Sequence, residues 1–115
     1  MDDDPRILRA TTRLLEEAGY EVHAVGRSER AARAAERLRP ALAILDVSMP
    51  GKDGFDLARQ LRSRAATRRT RLMFLTARQT GAHIQEAQEA GAMAYLEKPF
   101  RPEALLQMVA QVLGM

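Results

Sequence analysis

Apolar residues recur at helical spacing from Pro5 to Ala18. Ile7, Thr11, Leu14, Leu15 and Ala18 share one face, Pro5 suits a first helical position and Gly19 a stop. The alternation in "YEVHAVG" (20–26) predicts a short strand. Ser28 is placed to cap an Ala-rich helix running to about Arg39 and ended by Pro40. The continuous apolar run "ALAILDV" (41–47) predicts a strand buried on both faces.

The same alternation of elements then repeats. "VSMPGKDG" has loop composition, and Phe55, Leu57, Ala58 and Leu61 mark a third helix. "RLMFLTA" (71–77) predicts another buried strand. A helix from about Gly81 carries Ile84, Ala87 and Ala90 on one face and stops at Gly91. "AMAYLEKPF" (92–100) holds a short strand, and Pro102 begins a last helix bearing Leu105, Leu106, Val109, Val112 and Leu113. Strands alternating with helices imply an α/β fold with right-handed crossovers and a parallel sheet covered on both faces. The pattern yields five helices and four strands and begins on a helix, although a βα unit begins with its strand.

Composition narrows the class. The chain of 115 residues supports one domain, its apolar positions are mostly Leu, Ala, Val, Ile and Met, and it has no cysteine or tryptophan. A disulfide framework and thiol chemistry are therefore excluded, and no apolar run is long enough to span a bilayer. The expectation is a soluble, cytoplasmic domain. The net charge of +3 comes largely from arginines, with Arg59, Arg62, Arg64, Arg68, Arg69 and Arg71 in one stretch. No aromatic residues interleave with them to stack bases, so they read as a solvated surface rather than a nucleic-acid interface.

Candidate chemistry gathers at strand ends, where open α/β sheets bind ligands. Asp46 follows "LAIL", Thr76 follows "MFL", Lys98 follows "AYLE", and "DDD" (2–4) stands where an absent first strand would end. Several carboxylates in one pocket repel, so they either stay partly protonated or bind a cation. All-oxygen ligation favours Mg²⁺. A carboxylate can also attack phosphorus to give an aspartyl phosphate, whose oxygens a lysine ammonium and a threonine hydroxyl would contact. No G-x-x-x-x-G-K-[ST] or G-x-G-x-x-G loop is present. Asp4 before Pro5 reads as a helix N-cap. His23 and His83 match no site pattern.

"DDDP" before a helix, "ILDVSMPGKDGFDL", "FLTA" and "AYLEKPF" together resemble the receiver (response-regulator) domain of two-component phosphorelay signalling, along the whole chain except its beginning. The resemblance implies a flavodoxin-like, doubly wound sheet of strand order 2-1-3-4-5 and a single receiver domain over 1–115, lacking its usual first strand and carrying no output domain. It implies Asp46 as phosphoacceptor, with Mg²⁺ held by Asp2, Asp3, Asp46 and the backbone carbonyl of Ser48. Lys98 would pair with the phosphoryl group, Thr76 would swing toward it, and Tyr95 would be the aromatic switch. Pro50 and Gly54 would shape the loop, and the Lys98–Pro99 bond is often cis in the family.

The implied partners are a histidine kinase or histidine phosphotransfer protein and a downstream effector, with no direct nucleic acid and no membrane. The implied role is a phosphorylation-controlled switch of the last two helices and last strand, not an enzyme with turnover. Two alternatives stay open: a non-phosphorylated receiver-like scaffold, and an Asp-nucleophile, Mg²⁺-dependent phosphatase, whose second acid would stand where Ser48 is. Relatives carry about five apolar residues ahead of the acidic pair. Without them, the strands at 20–25 and 41–46 would stand about 10 Å apart, twice the usual spacing. A coding start assigned too late, a trimmed chain, or closure by rearrangement, homodimerisation or segment swapping would each account for the gap.

Overall fold

The computed structural model of the chain describes residues 1–2, 4–47, 54–76 and 81–114, without the side chains at 28 and 81–84. Five helices and three strands follow in the order α1 (Pro5–Glu17), α2 (Ser28–Leu38), β1 (Leu42–Asp46), α3 (Gly54–Ser63), β2 (Arg71–Thr76), α4 (Gly81–Glu89), β3 (Ala92–Glu97) and α5 (Pro102–Leu113). The strands form one parallel sheet in the order β1-β2-β3. Helices cover both of its faces, as the buried apolar strands require.

Alternation along the strands sorts the core into two layers. Leu45, Leu72 and Phe74 face α2, α3 and α4, where Ala31, Ala35, Phe55, Leu57, Leu61 and Ala87 are buried. Met73 and Leu75 face the other way, onto Leu15 of α1 and Leu105 and Val109 of α5. Phe55 and Phe74 meet edge to face with centroids 5.0 Å apart. In β3 the register slips after Leu72, so that Leu72 pairs with Ala92 and Met73 with Ala94. The extra residue, Met93, is exposed, and Tyr95 returns to the Phe74 face.

The helix boundaries follow local chemistry. Asp4 caps α1 by accepting the Arg6 N–H at 2.9 Å, with Pro5 in the first turn. Arg39 ends α2 in the left-handed region at φ 48°, just before Pro40. Opposite the candidate site, Arg62 ties down the turn after α3 by donating to the carbonyls of Arg68, Thr70 and Gly91. Half of the arginine stretch is engaged in such contacts. Arg59 pairs with Asp56 and Glu86, and Arg64 pairs with Glu36 of α2.

One predicted element does not form. Residues 20–26 make no strand, so the sheet has three strands where the hydrophobic pattern predicts four. The cause is the empty lane beside them. A strand needs a ladder partner, and between this segment and β1 only the first two residues of the chain are interposed. The Met1 amine donates to Ile44 O at 2.6 Å, Asp46 N–H donates to Met1 O at 2.9 Å, and Asp2 N–H donates to Val25 O at 3.2 Å. Met1 thus acts as a strand residue opposite Leu45. Beyond it lies a cleft of about 430 Å³, lined by apolar groups that include Leu15, Val22, Ala35, Leu42, Leu61 and Val109.

Fusing about four apolar residues ahead of Met1 should fill this lane. Burial of four such side chains, offset by backbone ordering, is expected to stabilise the chain by about 2 to 4 kcal/mol. Thermal melting of the fused and unfused chains checks this, and coincident curves would refute it.

Candidate functional site

Three strand ends and the chain start converge on one rim of the sheet. Asp46 is the last residue of β1, Thr76 the last of β2, and Lys98 follows β3 directly. Asp2 arrives beside them because Met1 is locked onto β1. Asp2, Asp46 and Thr76 are all buried, at 3, 2 and 0 % exposure. Charges so buried require partners.

Lys98 supplies the partner for both carboxylates. Its Nζ lies 2.7 Å from Asp2 Oδ2 and 3.4 Å from Asp46 Oδ1, so the two carboxylates face a common point. The other oxygen of Asp2 accepts the Asp4 N–H at 3.0 Å, which fixes the orientation of its carboxylate. The lysine is held from its backbone as well: its N–H donates to Thr76 O at 2.6 Å, and its bond to Pro99 is cis. Thr76 lies on the sheet face that carries Phe74, and Tyr95 packs in that same layer, half-buried.

Two further features shape the site, of which only the second, Gly54, is anticipated by the resemblance. The first is the Met1 amine. Burial lowers its pKa from 8.0 to about 6, against the opposing pull of the Asp2 and Asp46 carboxylates. Near neutral pH it is therefore mostly uncharged. The second is Gly54. A Cβ there would stand 2.6 Å from the Asp46 carbonyl oxygen, so α3 can begin this close to the site only without a side chain.

A pair of carboxylates suits a hard, oxygen-seeking cation such as Mg²⁺. Asp2 and Asp46 are placed for this role, whereas Asp3 and the Ser48 carbonyl lie outside the described residues, as does Pro50. Among the described residues no group of three or more His, Cys, Asp or Glu gathers into a metal site. His23 is on the surface beside Glu21, away from this rim. Among the described residues no helix is long and apolar enough to cross a membrane.

Comparison with known proteins gives a consistent picture. A family model described as the response regulator receiver domain matches residues 1–110. Protein PetR of Rhodobacter capsulatus is 40 % identical over 113 residues, covering 98 % of this chain and 46 % of PetR. The transcriptional regulatory protein PdtaR of Mycobacterium tuberculosis is 37 % identical over 109 residues, covering 94 % of this chain and 52 % of PdtaR. The chain thus spans about half the length of these curated relatives.

Among solved structures, chemotaxis protein CheY4 of Vibrio cholerae superposes with a TM-score of 0.92 at 32 % identity, covering 96 % of this chain and 92 % of that one. The receiver domain of sensor histidine kinase PA1611 from Pseudomonas aeruginosa PAO1 superposes at 0.90 with 29 % identity, covering 100 % of this chain and 94 % of that one. That structure has a magnesium ion coordinated in its active-site cleft. The likeness extends the sheet described above to a doubly wound, flavodoxin-like fold.

The lowered amine pKa sets a pH dependence. Between about 6 and 8.0 the unfolded chain binds the proton that the folded chain has released, so stability rises with pH across that window and is lost on acidification through it. The expected change is roughly 2 to 3 kcal/mol. Chemical denaturation at pH 6 and 8 should show it, and acetylating the Met1 nitrogen should abolish it. A flat profile, or one indifferent to acetylation, would contradict the assignment. Gly54→Ala should destabilise the fold by about 1 to 3 kcal/mol, because the contacted atom is backbone and cannot yield. A denaturation midpoint equal to that of the unaltered chain would rule this out.

Proposed function

The chain belongs to the response regulator receiver domain family, and on that premise we propose that it is a phosphorylation-controlled switch with Asp46 as the phosphoacceptor. The supporting observation is the shared ammonium. Lys98 Nζ touches the carboxylates of both Asp2 and Asp46 at the carboxyl ends of the strands, beside Thr76. A reactive carboxylate, a cation-holding carboxylate and a fixed positive charge therefore meet at one point.

In this reading an Asp46 carboxylate oxygen attacks the phosphorus of a phosphohistidine on a kinase or phosphotransfer protein. The O–P bond forms, the P–N bond breaks, and the partner's imidazole departs with the electron pair. Asp2, Asp3, Asp46 and the Ser48 carbonyl would hold Mg²⁺, which when bound offsets the phosphoryl charge. Lys98, 3.4 Å from Asp46 in this structure, would follow the charge onto a phosphoryl oxygen. Thr76 would donate its hydroxyl to another, and Tyr95, in the same layer, would repack behind it.

The surface built from α4, β3 and α5 would then change its affinity for an effector. The chain is read as one receiver unit, cytoplasmic in location, whose chemistry is limited to its own phosphorylation and dephosphorylation. The nature of the output follows from the partner and not from this site.

Incubation with Mg²⁺ and a phosphohistidine protein should add one phosphoryl group to the intact mass, and Asp46→Asn should add none. Lys98→Ala should lower stability by leaving buried carboxylates uncompensated, and under conditions where it remains folded it should lose at least ten-fold in phosphorylation rate, which corresponds to about 1.4 kcal/mol. Phosphorylation of Asp46→Asn at the unaltered rate would refute the reading. Failure of beryllofluoride with Mg²⁺ to perturb the unaltered chain would count against it equally.

A further inference from the structure

Charge is unevenly distributed along the chain. Between residues 27 and 39 and between 59 and 71 every cation is an arginine, and Glu29 and Glu36 are the only acids. The rest of the sequence carries more acids than bases. Sheet pairing brings the two basic segments together at the end of the sheet opposite Asp46. Leu42 pairs with Arg71, the Arg71 N–H donates to Ala41 O at 3.0 Å, and the Thr70 hydroxyl donates to Pro40 O at 3.0 Å. Arg37 and Arg39 at the end of α2 therefore stand beside Arg68, Arg69 and Arg71, where the chain enters β2.

All five are exposed, and none enters an ion pair among the described residues. Glu36, in the same helix as Arg37, is taken by Arg64. The fold itself accounts for part of the set: Arg37 lies in the last turn of α2, where a cation suits the helix dipole. Arg68, Arg69 and Arg71 end no helix. Arg39 runs against local preference, because it holds φ 48°, in the left-handed region where glycine is the usual helix-ending residue. Like charges gathered on one corner repel one another and raise the local potential, so the corner gains from an anion.

We propose that this corner is a docking surface for an acidic protein segment, one that carries about four or five closely spaced Asp or Glu side chains. Guanidinium groups present planar forks of N–H donors that match carboxylates bidentately. Neither basic segment contains an aromatic residue, which sets the corner apart from a groove for single-stranded nucleic acid. The acid excess of the remaining chain also limits the anion that fits. A long polyphosphate reaching past the corner meets like charge, whereas a short acidic segment ends within it. From Leu42 to Asp46 β1 runs about 13 Å, so an occupant of the corner leaves the phosphoacceptor rim open.

The 115-residue chain is titrated with a labelled peptide of alternating Glu and Asp, with a twin in which Gln and Asn replace them, and with a short DNA duplex. The acidic peptide should bind one to one, shift the amide resonances of residues 37–39 and 68–71, and weaken as salt is raised. Arg69→Glu combined with Arg71→Glu should weaken binding by about ten-fold or more. Arg9→Glu combined with Arg101→Glu removes the same net charge from exposed positions elsewhere and should change the Kd by less than about two-fold. Arg39→Gly should weaken binding while the melting midpoint holds or rises, since glycine takes the left-handed conformation without strain.

Equal losses from the two charge-reversed pairs would reduce the effect to net charge and overturn the proposal. So would equal binding of the neutral twin, absence of binding, or a duplex that binds more tightly than the peptide with the same resonance shifts. None of these outcomes involves Asp46, so each leaves the phosphoacceptor reading standing.

Discussion

The hydrogen bonds of Met1 and Asp2 join two parts of the molecule that no strand among the described residues connects. On one side they reach Ile44 and Asp46 of β1, and on the other Val25. They bring Asp2 to the carboxyl end of the sheet and bind the segment before α2 to the domain. Among the described residues, Met1 and Asp2 form one rung of this ladder. Next to it lies an apolar cleft, bordered by backbone on one side and side chains above and below.

The same rung governs the electrostatics of the rim. Because Met1 is held opposite Leu45, Asp2 is buried beside Asp46 and both depend on Lys98. Removing one partner from such a set leaves a buried charge uncompensated. Lys98 is in turn positioned by its own backbone bond to Thr76 at the neighbouring strand end. Charge, hydroxyl and carboxylates are thus fixed by sheet register rather than by long loops.

Much of this was legible in the residues themselves. Helix starts at Pro5 and Pro102, the Asp4 cap and the strands at 42–46 and 71–76 follow local rules that hold in almost any surroundings. The strand-end positions of Asp46, Thr76 and Lys98 follow from counting along apolar runs. The segment at 20–26 failed for a reason its alternation could not reveal: a strand is completed by its neighbour, and the pattern of one segment says nothing about whether that neighbour is present. The pairing of Lys98 with Asp2, 96 positions apart in the chain, was equally out of reach.

The sequence by itself determined the element types, the two-faced burial of the strands and the set of chemical groups at the strand ends, because periodicity and capping act over a few residues. Only the tertiary structure decided which groups share an ammonium, that the Met1 amine is buried among them, and that the sheet keeps three strands beside an apolar cleft. Those outcomes depend on register and on the closing of distant segments, which are properties of the assembled sheet.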